Sequence, residues 1–246
     1  LCSTGVQWHD RRPLVRISGD AELMAASLRE RLATGARLEK RVIIGTAGDR
    51  IALARVLWAG GPPDGRFEQE YLALHEVDEA GRCSAMLFFD VADELAARRE
   101  ARDRWLAIDP VAAAVVGPHV RFIDAWNEGD RACVRATLAD DLVVDDHRRT
   151  GMGRIDDVEI YVDSIVALWE LAPDARLESW SWLAVEPHGG VFVLHRAGQL
   201  PDGGPFESEY LGLNIIKRGL CSRIEMFELD AVDAAQLKLG GAVRAG

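Results

Sequence analysis

Two pairs of glutamates stand at matching places in two nearly identical stretches of the sequence. The stretch FEQEYLAL contains Glu68 and Glu70, and the stretch FESEYLGL contains Glu207 and Glu209. On a β-strand, residues two apart point to the same face and lie about 7 Å apart. Two carboxylates at that spacing can perform acid/base chemistry if the pKa of one of them is raised.

A structural role explains the same glutamates. Each stretch has a neighbouring strand candidate that carries an arginine, Arg55 in the first half of the chain and Arg196 in the second. Opposite charges on adjacent strands form ion pairs across a sheet, and such surface pairs contribute little to stability. Because both stretches keep the glutamates while other positions differ, the sequence favours ion pairs over catalysis at these four residues.

An Asp–His pair beside arginines is the second candidate for chemistry. Asp146 and His147 precede Arg148 and Arg149, so either of the first two could be a general base next to a charge-stabilising partner. The matching stretch of the first half, residues 8–12, reads WHDRR. If Asp10 is aligned with His147, the histidine precedes the aspartate in the first half and follows it in the second. The inversion favours a capping and ion-pair network, so Asp146 and His147 are catalytic candidates in the second half only.

The second half is also rich in bulky aromatic residues. Trp180 and Trp182 are two apart on a strand candidate, which places them on one face. Such residues either line a pocket for a flat apolar ligand or fill the core. Arg41 and Ile43 hold the positions that match Trp180 and Trp182 in the first half. A pocket in the first half would therefore differ from a pocket in the second. The ligand-pocket candidates are Trp126, Tyr161, Trp169, Trp182, His195, Glu209 and Glu225.

All of these candidates belong to an internal duplication. Phe206 follows Phe67 by 139 positions (206 − 67), and the motif ARLE recurs at the same offset. DAEL recurs as DVEI, and DRRP as HRRT, each at an offset of 137. Residues 6–96 therefore repeat as residues 143–235, with the small changes of offset in turns, where insertions are tolerated.

Each copy has the pattern of one helix followed by a meander of strands. In the second copy, apolar residues recur at helical spacing until Pro173. The strand candidates that follow are residues 176–186, 190–199, 206–217 and 221–229. The pattern predicts an α+β fold with largely antiparallel sheets.

Two helices are predicted between the copies. Asp109 caps the first helix and Pro110 stands at its first position, as helix starts prefer. This helix is expected to reach Trp126, with Gly117–Pro118 as a candidate break, and Asp130 caps a second, shorter helix. Nothing equivalent precedes the first copy.

The segment FIDAWNEGDRACVRATLADDLVVDDHRRTG, followed by a helix and four strands, resembles the nuclear transport factor 2-like superfamily in its SnoaL-like branch. The resemblance implies helices across a strongly curved sheet, which together make a cone with an internal pocket. It covers the second half directly and the first half through the repeat. The expected domains are 1–98, which lacks the first two helices, a linker at 99–109, a complete domain at 110–237, and a frayed tail at 238–246.

This superfamily hosts both enzymes and binding modules, so the resemblance leaves two functions open. The first is a small-molecule-binding, regulatory or assembly module within a larger multidomain bacterial protein, since the chain opens on Leu1 rather than Met. The alternative is an acid/base enzyme of the isomerase, polyketide cyclase or epoxide hydrolase type, with Asp146 or His147 as the base and Glu209 or Glu225 assisting. Single domains of this type often dimerise, so the two copies are expected to form an intrachain pseudo-dimer.

Composition excludes several kinds of partner. The 246 residues have a formal net charge of −11 and no basic stripe, which disfavours nucleic acid. No apolar run approaches the roughly 18 residues of a membrane span, and without a signal peptide the cytoplasm is the expected compartment. Cys83 and Cys221 lie in matching apolar strands and read as small buried hydrophobes. No metal or cofactor motif occurs, and the expected partner is a small apolar or aromatic ligand.

Overall fold

The computed structural model describes residues 2–62 and 64–242, and the chain divides into two units, Leu1–Trp105 (unit 1) and Leu106–Gly246 (unit 2). Each unit contains one six-stranded mixed sheet with helices packed against it. The two sheets have the same strand order. The predicted α+β class and the duplication are therefore confirmed.

Unit 1 starts directly with its sheet, since no helix precedes the first strand among the described residues. Its elements are β1 Cys2–Asp10, β2 Ile17–Gly19, α1 Ala21–Ala33, β3 Arg37–Ala47, β4 Ile51–Gly60, β5 Phe67–Val77, β6 Cys83–Phe89, and α2 Glu94–Ile108, which ends inside unit 2.

Unit 2 has two helices ahead of the equivalent strand. Its elements are α3 Pro110–Glu128, α4 Arg131–Ala136, β7 Leu138–Asp146, β8 Gly153–Ile155, α5 Val158–Leu171, β9 Arg176–Glu186, β10 Gly189–Gln199, β11 Pro205–Lys217, β12 Leu220–Phe227 and α6 Val232–Ala242. The four strands predicted after the α5 helix agree with β9–β12 to within two residues.

Both sheets combine one parallel pair with antiparallel neighbours. The orders are β2-β1-β6-β5-β4-β3 and β8-β7-β12-β11-β10-β9, and the parallel pairs are β1 with β6 and β7 with β12. The register shifts twice between β3 and β4 and twice between β9 and β10. Such bulges bend a strand and increase its twist, so they contribute to the curvature of each sheet.

Strand register corrects the sequence alignment of the first strands. Asp10 lies opposite Phe88, and Asp146 lies opposite Met226. The remaining strand pairs make Phe88 and Met226 equivalent positions. Asp146 therefore corresponds to Asp10, at an offset of 136 (146 − 10), and the alignment of His147 with Asp10 is wrong. The inferred inversion of acid and histidine disappears, because an aspartate holds the same place in both units.

The helix starts follow from local capping. The Asp109 carboxylate accepts hydrogen bonds from the first-turn backbone N–H groups of α3, and Asp130 does the same for α4. Gly129 ends α3 with a φ of 70°, a conformation that favours glycine. The candidate break at Gly117–Pro118 is absent, because α3 continues through Pro118.

Two boundaries differ from the expected domain limits. The segment 99–109, expected to be a linker, is helical to Ile108 as part of α2. The tail expected to fray from residue 238 is helical to Ala242, and Leu239 is fully buried against the sheet. The last four residues, 243–246, lie outside the described part of the chain.

The core of unit 2 lies between one face of the sheet and helices α3, α4 and α5. Its members include Trp126, Val162, Phe192 and Tyr210. The opposite face of the sheet carries Leu211 and other aliphatic residues, and α6 covers them. Side chains of alternate strand residues therefore enter two separate environments, one inside the cone and one under α6.

Candidate functional site

A cavity of about 270 Å³ lies inside unit 2, between the sheet and helices α3 and α5. Two of the predicted pocket residues, Trp126 and Tyr161, line this cavity. Most of the remaining lining is apolar, including Phe122, Phe192 and Leu194. Burial raises the pKa of Tyr161, so its hydroxyl stays protonated near neutral pH. The cone of unit 2 is therefore open and is not filled by its own side chains.

Asp146 and Arg148 form a buried ion pair at the wall of this cavity. Asp146 Oδ1 accepts a hydrogen bond from Arg148 Nε at 2.9 Å, and Oδ2 accepts one from Arg148 Nη2 at 2.8 Å. The backbone N–H of Met152 also donates to Oδ2. Burial alone would raise the pKa of Asp146, but these hydrogen bonds and the Arg148 charge outweigh it and lower the pKa. Asp146 is therefore an ionised, fully engaged carboxylate, which makes it a poor general base.

The ion pair is tightly enclosed by its surroundings. The Arg148 guanidinium lies over the Tyr210 ring at 4.2 Å from its centre. A Cβ atom at Gly151 would lie 2.5 Å from Asp146 Oδ1, so the close approach of this loop requires glycine. Unit 1 repeats the arrangement, with Asp10 and Arg12 paired in the same way.

Arg196 is a second cation at the cavity wall, and it has a different environment. Its Nε is buried without a hydrogen-bond partner among the described residues, and so is the Oγ of Ser208. The two residues lie directly opposite each other on β10 and β11, so their side chains share the face that carries Tyr210. Asp146 is already neutralised by Arg148, so among the described residues no carboxylate forms an ion pair with Arg196 at the cavity wall.

The buried His119 of α3 lies at the cavity wall in a hydrogen-bonded network with Asn214 and Ser179. The amide Nδ2 of Asn214 lies 2.8 Å from His119 Nδ1 and can only donate, which leaves the imidazole hydrogen on Nε2. His119 Nε2 lies 2.5 Å from Ser179 Oγ. Sequence reasoning missed this network, because only the fold brings α3, β9 and β11 together. The one sequence signal was a histidine on the apolar face of a predicted helix.

Trp169 and Trp182 lie behind the cavity wall and do not line it. Trp169 packs edge-on against Trp126, with ring centres 6.0 Å apart. Trp182 packs edge-on against the His119 ring at 5.2 Å. Both predicted pocket residues therefore support lining residues instead of facing a ligand.

A bulge separates the two tryptophans of β9. Trp180 has no partner in the β10 register, whereas Trp182 lies opposite Phe192. Trp180 therefore turns to the outer face, where it stacks on His195 with ring centres 4.1 Å apart. The prediction that both tryptophans share one face is wrong, because the bulge adds a residue and changes the alternation.

His195, Glu207 and Glu209 lie on this outer face, away from the cavity. His195 Nε2 lies 2.7 Å from Glu207 Oε1. In unit 1 the guanidinium of Arg55 donates two hydrogen bonds to Glu70. The Arg55 contact confirms the expected ion pair in unit 1. In unit 2 the expectation is wrong, because Arg196 lies on the opposite face of the sheet and Glu207 contacts His195 instead. Neither glutamate pair lines a described cavity.

His147 and Glu225 are also outside the cavity, under α6. His147 Nε2 lies 2.8 Å from Glu225 Oε2, and Arg223 and Lys238 donate to the same carboxylate. Burial by itself raises the pKa of Glu225, but the hydrogen bonds from Lys238 and His147 outweigh it and lower the pKa. The sheet thus separates His147 from Asp146, although the two residues are adjacent in sequence.

Asp145, His147 and Glu225 could together hold a metal ion, since their ligand atoms lie within 4.8 Å of one another. The sequence predicted no metal site, and the grouping arises from pairing of β7 with β12. The Nζ of Lys238 contacts both His147 and Glu225. Because this ammonium contacts two of the three ligand groups, the side chains are arranged as an ion-pair network that fastens α6 to the sheet.

The architecture of unit 2 is a curved mixed sheet with helices across one face and a cavity between them. Unit 1 repeats the same sheet. About half of the chain is similar in fold to each of several solved structures, among them nuclear transport factor 2-like and SnoaL-like proteins. The sheet, the helices across one of its faces and the internal cavity are the architecture that the resemblance led us to expect.

Three solved structures with this kind of fold are similar to the chain. A SnoaL-like protein from Jannaschia is 18% identical, covers 52% of this chain and 94% of its own, with a TM-score of 0.42. A Mycobacterium tuberculosis protein in complex with estradiol-17beta-hemisuccinate is 14% identical, covers 48% and 95%, with a TM-score of 0.42. A protein with a ketosteroid isomerase-like fold from Catenulispora acidiphila, in complex with trimethylamine, is 12% identical, covers 49% and 92%, with a TM-score of 0.41.

Comparison at the level of sequence finds less. No family model and no curated protein matches the chain. Within the described residues, none of the helices has the length and apolar character needed to cross a membrane.

Proposed function

We propose that unit 2 is a non-catalytic binding or regulatory module for a small molecule with an apolar body and one anionic group. The observation that carries this proposal is the open cavity with Arg196 at its wall and Ser208 opposite Arg196 on the neighbouring strand. The apolar lining suits the body of the ligand, and the unpaired cation suits its anionic group.

The energetics favour an occupied site. A buried polar group without a partner costs about 1–3 kcal/mol, and a hydrogen bond to a charged group contributes about 1.5–3 kcal/mol. An oxyanion placed between Arg196 and Ser208 would satisfy both groups at once. Tyr210 borders the same position and keeps its hydroxyl protonated, because burial raises its pKa.

The same geometry argues against the acid/base enzyme. Asp146 is committed to Arg148, and His147 lies on the other side of the sheet. His119 does face the cavity, but both of its ring nitrogens have partners, Ser179 and Asn214. A general base needs a free basic atom within reach of the substrate proton, and among the described residues of the lining no carboxylate or unpartnered imidazole supplies one.

Isothermal titration calorimetry with cyclohexylacetate tests the proposal, since this probe has a compact apolar body and one carboxylate. Arg196→Gln should weaken the unit 2 binding event about tenfold or more, because it removes the charged donor. Arg149→Gln, which changes an exposed arginine of the same unit, should leave the affinity unchanged. Equal affinities of the wild type and Arg196→Gln would refute the proposed site.

A further inference from the structure

Unit 1 contains its own cavity, of about 300 Å³, between α1 and the sheet. The rings of Trp8, Trp58, Tyr71 and Phe88 form much of its wall. Aromatic rings on several sides favour a flat aromatic guest over a branched aliphatic one. The sequence alone did not show whether the first copy has a cavity.

The charged groups at this cavity are arginines. Arg31 and Arg41 line it, and the described residues of its wall include no aspartate or glutamate. Arg31 donates to the Tyr71 hydroxyl, and its guanidinium lies 5.2 Å from the centre of the Trp58 ring. Burial, together with the nearby Arg41 charge, lowers the pKa of His75 to about 4, so this lining residue is neutral at neutral pH. The cavity therefore has two positive charges and no carboxylate to balance them.

Two more donors at this cavity lack partners. The indole Nε1 atoms of Trp8 and Trp58 are buried without a hydrogen-bond acceptor among the described residues. An unsatisfied indole N–H carries a desolvation penalty that a nearby oxygen would relieve. The wall thus combines aromatic surface, two cations and two indole donors.

Strand register shows that this cavity is not a copy of the one in unit 2. Trp58 pairs with Gln69 across two strands of unit 1. The equivalent pair in unit 2 is Arg196 and Ser208, so Trp58 holds the position of Arg196. Arg41 lies opposite Val56, at the place that Ser179 holds opposite Leu194, so the alignment of Arg41 with Trp180 is wrong. The cations of unit 1 therefore come from α1 and β3, whereas the unpaired cation of unit 2 comes from β10. The two cavities place their anion-binding groups differently.

We propose that the unit 1 cavity is a second, independent ligand site, which takes a planar aromatic carboxylate. The aromatic body lies among Trp8, Trp58 and Phe88. The carboxylate faces Arg41 and Arg31, and its oxygens accept hydrogen bonds from the indole groups. This site does not depend on the function proposed for unit 2.

Nuclear magnetic resonance of the full ¹⁵N-labelled chain tests the proposal, with 2-naphthoate as the probe. Trp8→Phe and Trp58→Phe keep a ring, remove one indole N–H each, and assign the two indole signals. 2-Naphthoate should move both signals downfield in a saturable manner. Arg41→Gln should weaken this binding about tenfold, but should change the affinity of neutral 2-naphthylmethanol less than twofold, because only the carboxylate uses the charge.

The Arg196→Gln variant separates the two proposals. It should weaken the binding of cyclohexylacetate to unit 2 about tenfold or more and leave the 2-naphthoate shifts of Trp8 and Trp58 intact. Absence of those shifts, or their loss in Arg196→Gln, would overturn the unit 1 site. Equal weakening of both naphthyl probes by Arg41→Gln would do the same. Trp58 is only partly buried, so its phenylalanine variant keeps the test valid if Trp8→Phe fails to fold.

Discussion

Replacement of Asp146 by asparagine should strongly destabilise unit 2. The Asp146 side chain is 0% exposed and that of Arg148 is 13% exposed. Asparagine retains the shape but removes the negative charge, and it points an amide donor at the Arg148 guanidinium. Breaking a buried pair and leaving the other charge in place typically costs about 3–5 kcal/mol. For a unit of this size, we expect Tm to fall by about 10 °C.

Urea unfolding followed by circular dichroism measures this effect, and the chain supplies two controls. The Arg55–Glu70 pair also has two hydrogen bonds but is 43% and 44% exposed, so Glu70→Gln should cost less than about 1 kcal/mol. Asp10→Asn should lower the stability of unit 1 as Asp146→Asn lowers that of unit 2, because Asp10 is equally buried.

The dependence on pH gives a second readout of the same pair. The pKa of Asp146 is lower in the folded state than in the unfolded chain, so its contribution is complete above about pH 4 and is lost as pH falls through the folded-state pKa. Asp146→Asn should therefore lose less stability on acidification than the wild type. A double variant, Asp146→Leu with Arg148→Met, should recover most of the loss, since no unpaired charge remains.

Two results would refute this reasoning. If Asp146→Asn cost no more than Glu70→Gln, the burial of the pair would not determine its energetic role. If the double variant were as unstable as Asp146→Asn alone, the loss would come from packing and not from the unpaired charge of Arg148.

Cys221 should resist alkylation by iodoacetamide in the native chain, because burial raises the pKa of its thiol to about 12, whereas the exposed Cys133 should react. Equal labelling of the two cysteines in mass spectrometry would contradict the buried position of Cys221. Lys238→Ala should bind Zn²⁺ more tightly than the wild type in calorimetry, since it removes the ammonium from the group of Asp145, His147 and Glu225. Tight binding by the wild type would show that Lys238 does not block this group. Asp109→Ala should lower stability to urea by about 1 kcal/mol through loss of the α3 cap, and an unchanged midpoint would show that the cap is redundant.

The sequence by itself determined the elements and their duplication. Helical spacing up to Pro173, the caps at Asp109 and Asp130, and the repeated strands are local patterns, and the structure confirms them. Backbone propensity, capping and strand alternation act over a few residues, so they can be read without the fold. The ion-pair interpretation of Glu70 rested on the same local alternation.

The composition of the site was decided only by tertiary structure. Asp146 and His147 are adjacent in sequence but lie on opposite sides of the sheet, so Asp146 pairs with Arg148 at the cavity wall and His147 contacts Lys238 of α6. A single bulge turns Trp180 out of the predicted face. The sequence indicated Arg196 only as an ion-pair partner of the glutamates, but the fold places it inside the cone, where its Nε has no partner among the described residues. Register, bulges and the pairing of distant strands place these groups, and they depend on contacts between residues far apart in the chain.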